Sequence, residues 1–149
     1  MRQSLVYSLD LDNAQLPMIQ MDILGKKHRF IVDTGSNVNL ISSKLVAENE
    51  LALTPVGFLS TSGLGGHAEM GDVFMLPYSI DGNQFSDQFS VVSDCTFQVI
   101  EEEYGVKVSG LVGTSFMLFH RVVIDFSEGV IHLCEKPEDV RLHLRKNEE

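Results

Sequence analysis

The amino-acid sequence predicts a mostly β fold with one or two short helices. In most segments apolar and polar residues alternate with a period of two, which is typical of strands with one buried face. Turn-forming sequences separate these segments, at Gly25-Lys26-Lys27, Asp81-Gly82-Asn83 and Ser127-Glu128-Gly129. A chain of 149 residues, 44% of them hydrophobic, is long enough for one domain with a core.

In the first half of the chain, the predicted elements surround an acidic loop at residues 33–36. Ser42 and Ser43 can cap the short helix that follows the third strand. The elements are strands over Met18–Leu24, His28–Val32 and Val38–Ile41, and a helix over Lys44–Glu50.

In the second half, a long β-ribbon is predicted over Phe58–Asp94, and residues 97–104 fit either a short acidic helix or a loop. Thr114 can cap a helix after the apolar stretch Leu111-Val112-Gly113. The remaining predicted elements are that helix over Ser115–His120 and strands over Val122–Phe126 and Val130–Cys134.

Three regions of the chain are expected. Residues 1–16 form an N-terminal strand or extension, residues 17–134 the globular domain, and residues 135–149 a charged tail. Nine of the fifteen tail residues are charged, which favours a solvated segment.

The composition argues against several classes of function. The net charge of −10 disfavours nucleic acid as a partner, because phosphate groups require Lys and Arg. No apolar run approaches the roughly 20 residues of a membrane span, and the N-terminus lacks a secretory pattern, so a cytoplasmic protein is expected. Cys95 and Cys134 favour two buried thiols over a disulfide. The five histidines lack metal-binding spacing and are expected to be structural or on the surface, with His67 left open, so no metal or cofactor is predicted.

The segment Phe30-Ile31-Val32-Asp33-Thr34-Gly35-Ser36 is the candidate for chemistry. An apolar strand carries the Asp33 carboxylate toward the interior, and Gly35 allows a sharp turn that leaves room beside it. The hydroxyls of Thr34 and Ser36 can bond to the backbone or to the carboxylate. A buried carboxylate is costly without partners, so Asp33 is a candidate catalytic group.

Three segments follow one another along the chain: this loop, a glycine-rich ribbon at residues 62–66 and the closing Leu111-Val112-Gly113. Their order resembles that in the retropepsins, the single-lobe aspartic peptidases. The resemblance covers roughly residues 17–134 and implies a single-lobe acid-protease β-barrel. It implies an endopeptidase acting on polypeptides, with Asp33 as the catalytic carboxylate. Because the chain has one Asp-Thr-Gly, the second carboxylate would come from another copy in a homodimer.

The same resemblance implies roles for the other site residues. Thr34 would bond across the dimer, Gly35 would contact substrate through its backbone, and Ser36 would orient the Asp33 carboxylate. The flap over the substrate would comprise Ser62, Gly63, Leu64, Gly65 and Gly66. The alternative for this glycine cluster is a simple turn.

The sequence departs from the retroviral pattern at two positions. Thr114 replaces an arginine that often follows the closing glycine, and Asn37 replaces its acidic partner, so neither charge is stranded. Asp125 is the candidate for an internal second carboxylate, but bulky Phe126 follows it, which favours a structural role. Two other functions stay open: a retropepsin-like module that binds peptides without cleaving them, and a β-barrel for a small ligand.

Overall fold

The computed structural model describes residues 5–12, 15–49, 51, 55–62 and 68–134, without the side chains of 55–62 and 68–72. The strands and helices in chain order are β1 Leu5–Ser8, β2 Met18–Ile23, β3 Lys26–Val32, β4 Leu40–Ser42, α1 Ser43–Glu48, β5 Pro55–Ser62, β6 Ala68–Ile80, β7 Asn83–Val92, α2 Cys95–Tyr104, β8 Gly110–Val112, α3 Thr114–Phe119, β9 Val123–Asp125 and β10 Val130–Leu133.

Seven strands form a sheet in the order β2-β3-β8-β4-β7-β6-β5. β2 also pairs with β6, through Asp22 and Ser79, so the first six of these strands close into a barrel. β1, β10 and β9 form a second, antiparallel sheet. The predicted β-barrel fold class is thereby confirmed.

β3 is buried on both of its faces near its end. Phe30 and Val32 lie in the barrel core, whereas Ile31 packs on the other side in a second cluster with Phe97 of α2 and Val108. This explains the uninterrupted apolar run before Asp33, since a strand covered on both sides has no polar face. The end of β3 is therefore held from two directions.

Three details of the secondary structure differ from the sequence-based expectation. The β2–β3 turn is centred on Leu24 and Gly25, both with positive φ, one residue earlier than predicted. β4 begins at Leu40 rather than Val38, because the Ser36 hydroxyl bonds both the N–H and the carbonyl of Val38. Residues 97–104, predicted as helix or loop, belong to the helix α2, which makes three helices within the described residues.

The expectation of two buried thiols is wrong for Cys95. Both cysteines are free, but Cys95 is exposed at the first position of α2, and Cys134 is half-buried after β10. Because Cys95 is the first residue of α2, its side chain faces solvent there.

None of the helices in the described ranges is long and apolar enough to cross a membrane.

Candidate active site

Asp33 lies directly after β3, beside the end of β8. The two strands are parallel, with Val32 opposite Val112, so both leave the sheet at the same edge. The Asp33 N–H donates to the carbonyl oxygen of Val112 at 2.9 Å. The backbone of the candidate catalytic residue is thus attached to β8.

Asp33 is half-buried in the turn after β3, and its carboxylate accepts a hydrogen bond from the backbone of the same turn. Its Oδ1 accepts the N–H of Gly35 at 2.8 Å, and its backbone carbonyl accepts the N–H of Ser36 at 3.3 Å. A Cβ at Gly35 would lie 3.2 Å from that Oδ1, so glycine leaves room beside the carboxylate. Thr34 and Gly35 are exposed at the tip of the turn, accessible to a second molecule.

Ser36 does not orient the Asp33 carboxylate through its hydroxyl, contrary to the expectation. Its Oγ donates to the carbonyl oxygen of Val38 at 2.8 Å and accepts the N–H of Val38 at 3.3 Å. A hydroxyl committed to the following backbone stabilises the shape of the loop instead. In this structure the carboxylate is oriented by the Gly35 N–H.

Gly113 and Thr114 directly follow β8, and these two residues, here called the exit of β8, pack closely against the Asp33 loop. The Thr114 N–H donates to the carbonyl oxygen of Ser36 at 2.7 Å, and a Cβ at Gly113 would stand 2.5 Å from that same oxygen. The predicted capping role of Thr114 is wrong, because Gly113 is the N-cap of α3 and Thr114 is its first residue. The backbone of Thr114 is used to hold the loop.

Asn39 is a site residue that the sequence analysis did not identify. Its side chain is 4% exposed, its Oδ1 accepts the N–H of Gly113 at 2.9 Å, and its Nδ2 donates to the carbonyl oxygen of Gln88 at 3.0 Å. The available signal was a polar residue between Val38 and Leu40 in an apolar run. A buried amide of this kind requires bonding partners, and here they are Gln88 of β7 and Gly113, which directly follows β8.

A groove of about 530 Å³ opens beside this loop. Asn37, Val38 and Asn39 form one wall, β7 from Ser86 to Ser90 forms another, and Ser115 and Phe119 of α3 contribute as well. The lining combines amide, hydroxyl and apolar groups with the Asp87 carboxylate. A groove beside a strand that offers both apolar and hydrogen-bonding groups can accommodate an extended segment.

A buried polar cluster lies behind the groove. Asp87 lines the groove from β7, accepts the Tyr78 hydroxyl, and lies 2.8 Å from Nε2 of His120, which is fully buried against the Phe85 and Phe116 rings. Burial, and then the Asp87 charge, raise the pKa of Tyr78 well above its ordinary value. The hydroxyl therefore stays protonated and donates to the carboxylate, which compensates the burial of the charge.

Asp125 lies in the three-stranded sheet, where it stabilises the β9–β10 turn. Its Oδ1 accepts the Ser127 hydroxyl at 2.6 Å and the Glu128 N–H at 3.0 Å, and these bonds lower the pKa of the carboxyl. This geometry accounts for Asp125 without catalysis, as the structural alternative anticipated.

Of the predicted flap, only Ser62 falls within the described residues. It ends β5 opposite Ala68 of β6, so the two strands form an antiparallel ribbon up to that pair. Gly63, Leu64, Gly65 and Gly66 lie outside the described residues, as does His67. In the part of the chain that is described, no group of three or more His, Cys, Asp or Glu side chains is placed to hold a metal ion.

Comparisons with known proteins show the family and the fold of this chain. The family model described as aspartyl protease matches residues 19–116, which include the Asp33 loop, both ribbon strands and the end of β8. A retropepsin-like aspartic protease from Rickettsia conorii is similar in structure, with a TM-score of 0.53 and 17% identity over 91% of this chain and 92% of that one. The retroviral protease-like domain of Ddi1 from Leishmania major gives a TM-score of 0.54 and 14% identity over 78% and 86% of the two chains. No curated protein matches this chain in sequence. The resemblance to retropepsins is confirmed at the level of family and fold.

Proposed function

Because this chain belongs to the aspartyl protease family, we propose that it is an endopeptidase whose active form is a homodimer containing two Asp33 carboxylates. The supporting observation is the placement of Asp33. Its carboxylate is half-buried at the shared end of β3 and β8, and the backbone on both sides of it is anchored. Catalytic groups need such a fixed position, and a surface carboxylate without function does not.

In the proposed mechanism the two carboxylates share one proton. The ionised carboxylate takes a proton from a water molecule, which attacks the peptide carbonyl carbon, while the protonated carboxyl donates to the carbonyl oxygen. The carbon–nitrogen bond of the resulting diol then breaks as the first carboxyl gives its proton to the leaving nitrogen and the second takes a proton back from a diol hydroxyl. Two carboxylates so close together cannot easily both be ionised, so one keeps its proton at mildly acidic pH. The Gly35 N–H holds Oδ1 of each carboxylate in place.

The proposal takes the second carboxylate from another copy because the chain contains one Asp-Thr-Gly sequence. Asp125, the internal candidate, is committed to the turn formed with Ser127 and Glu128. The exposed tip at Thr34 and Gly35 is the part of the loop that a second copy can reach. We place the dimer axis there, with Thr34 bonding across it and Ser62 to Gly66 covering the substrate.

The test is cleavage of an unfolded polypeptide by the wild type and by Asp33→Asn. The amide has nearly the same shape but neither shares the proton nor activates water, so cleavage should disappear while the circular dichroism spectrum stays unchanged. Appreciable cleavage by the variant would show that Asp33 is not the catalytic group. Peptide binding by both proteins without cleavage by either would favour a non-cleaving peptide-binding module.

Mixing the two proteins tests the dimer. If active sites need two chains and the chains exchange at random, adding an equal amount of Asp33→Asn to a fixed amount of wild type should lower the cleavage rate by about half. A rate that is unaffected by any excess of the variant, after incubation at concentrations that allow exchange, would indicate an active monomer. A heat-denatured sample of the variant serves as the control.

A further inference from the structure

Asn39 joins three segments around the Asp33 loop. Its Oδ1 accepts from the Gly113 N–H at 2.9 Å, its Nδ2 donates to the Gln88 carbonyl at 3.0 Å, and its own backbone carbonyl accepts the Ser90 N–H at 2.9 Å. Asn39, which is 4% exposed, therefore connects the Asp33 loop with the exit of β8 and with β7.

We propose that Asn39 is a positioning residue for the reaction assigned to Asp33, an inference that rests on the proposed peptidase function. Gly113 is flanked by Val112 and Thr114, whose carbonyl and N–H hold Asp33 and Ser36 respectively. A shift of Gly113 therefore moves both backbone anchors of the loop. Asn39 fixes Gly113 relative to β7, a strand paired with β6 along most of its length.

This position needs a side chain that accepts and donates at the same time. An amide does both, because its oxygen is directed to the Gly113 N–H and its nitrogen to the Gln88 carbonyl. An ionised carboxylate in the same place accepts from Gly113 but faces the Gln88 carbonyl oxygen with a negative charge. A protonated carboxyl group can serve both partners again. Asn39→Asp is therefore an amide mimic whose fit depends on pH.

The experiment compares kcat/KM of Asn39→Asp with that of the wild type at each pH from about 4 to 8, using one unfolded polypeptide substrate. Burial favours the neutral carboxyl, so the ratio should stay near one at the acidic end. Toward neutral pH it should fall roughly 10- to 100-fold as the carboxylate forms and its bond to Gln88 is lost. The fall should be larger in kcat than in KM, because the loop that carries Asp33 is displaced while Asn39 and Gln88 form only part of the groove wall.

Asn49→Asp is the matched control. The Asn49 Nδ2 also donates to a backbone carbonyl, that of Leu45, at 2.9 Å, but at the end of α1. The variant makes the same chemical change and adds the same charge, so its kcat/KM ratio should be flat with pH. Asn39→Leu lacks both bonds at every pH and should be impaired throughout the range.

Hydrogen exchange separates this inference from the peptidase function. The protection factors of the Asp33 and Thr114 amides, which donate to Val112 and Ser36 in the two loop anchors, should fall in Asn39→Asp near neutral pH and recover at acidic pH when measured without substrate. Failure of the wild type to cleave any polypeptide would refute the peptidase function, and the exchange measurement would still decide whether Asn39 holds the loop. A flat kcat/KM ratio together with unchanged protection of these amides, even with a lower melting temperature, would overturn the proposal and leave Asn39 a purely structural residue.

Discussion

Replacing Gly113 with alanine should displace the Asp33 loop while leaving most of the barrel intact. The φ of −106° and ψ of −164° at Gly113 are open to any residue, so the effect is steric and not conformational. The added Cβ would stand 2.5 Å from the Ser36 carbonyl oxygen, and it also meets the Val38 carbonyl oxygen. Both obstacles are backbone atoms that cannot rotate away.

The size of the effect follows from these contacts. An ordinary contact begins near 3.4 Å, so the loop must retreat by about 0.9 Å, and a displacement near 1 Å in a catalytic group costs on the order of 100-fold in rate. Overpacking of this kind lowers the free energy of unfolding by about 1–3 kcal/mol. We expect Gly113→Ala to stay folded at 25 °C with kcat/KM reduced about 100-fold.

The assay measures kcat/KM on an unfolded polypeptide and the free energy of unfolding in urea for the same preparations. Gly105→Ala is the control, since φ is +71° there and a Cβ would have nothing within 4 Å. It should cost about 1–2 kcal/mol through backbone strain alone and leave kcat/KM unchanged. Activity of Gly113→Ala within threefold of the wild type, or an equal loss in Gly105→Ala, would refute the reasoning.

Three further predictions concern the buried polar groups and the pH dependence. His120→Leu should lower the free energy of unfolding by about 3–5 kcal/mol, because Asp87 would keep a buried charge with one partner fewer; a loss below 1 kcal/mol in urea would contradict this. Burial and Asp87 raise the pKa of Tyr78 above its ordinary 10.0. Above about pH 10 the unfolded chain therefore releases a proton that the folded chain keeps, and the free energy of unfolding of the wild type should decrease as the pH rises. In Tyr78→Phe this contribution to the decrease should be absent. Burial, and then Lys107, lower the pKa of His28 below its ordinary 6.5, so stability should decline as the pH falls below that value, and identical declines in the wild type and His28→Gln between pH 7.5 and 5 would rule out this contribution.

The pH dependence of cleavage gives a fifth prediction. Activity should follow a bell with its maximum on the acidic side of neutrality, because the working state has one proton on two Asp33 carboxylates. Added salt should raise activity near pH 7 more than at lower pH, since it screens the repulsion between two subunits of formal charge −10 each. Activity that keeps rising through pH 8, or that a metal chelator abolishes, would indicate another mechanism.

Local patterns were sufficient to predict the parts of the fold that depend on neighbouring residues. The turn at Asp81 and Gly82, both with positive φ, lies where the Asp-Gly sequence predicts it. The loop after β3 was identified because an apolar run ends in an acidic residue followed by glycine. In each case the residues that determine the geometry are adjacent in sequence.

Contacts between distant residues could not be predicted in the same way. Asp87 and His120 are 33 positions apart and Asn39 and Gly113 are 74 apart, and no period or spacing links either pair. His120 was expected to be structural or on the surface, and the structure makes it structural with a specific partner. The Ser36 hydroxyl had two possible acceptors, and only the three-dimensional course of the loop decides in favour of Val38.

The pairing of β3 with β8 also affects when this site can form during synthesis. Phe30 pairs with Gly110, 80 positions later in the chain, and the loop anchors come from Val112 and Thr114. Contacts of such high contact order form late, and a ribosome that has released only the first hundred residues has not yet supplied the strand that holds Asp33. A nascent or truncated chain that ends before β8 therefore has the acidic loop without its anchors, so the proposed active site cannot assemble before β8 has been made.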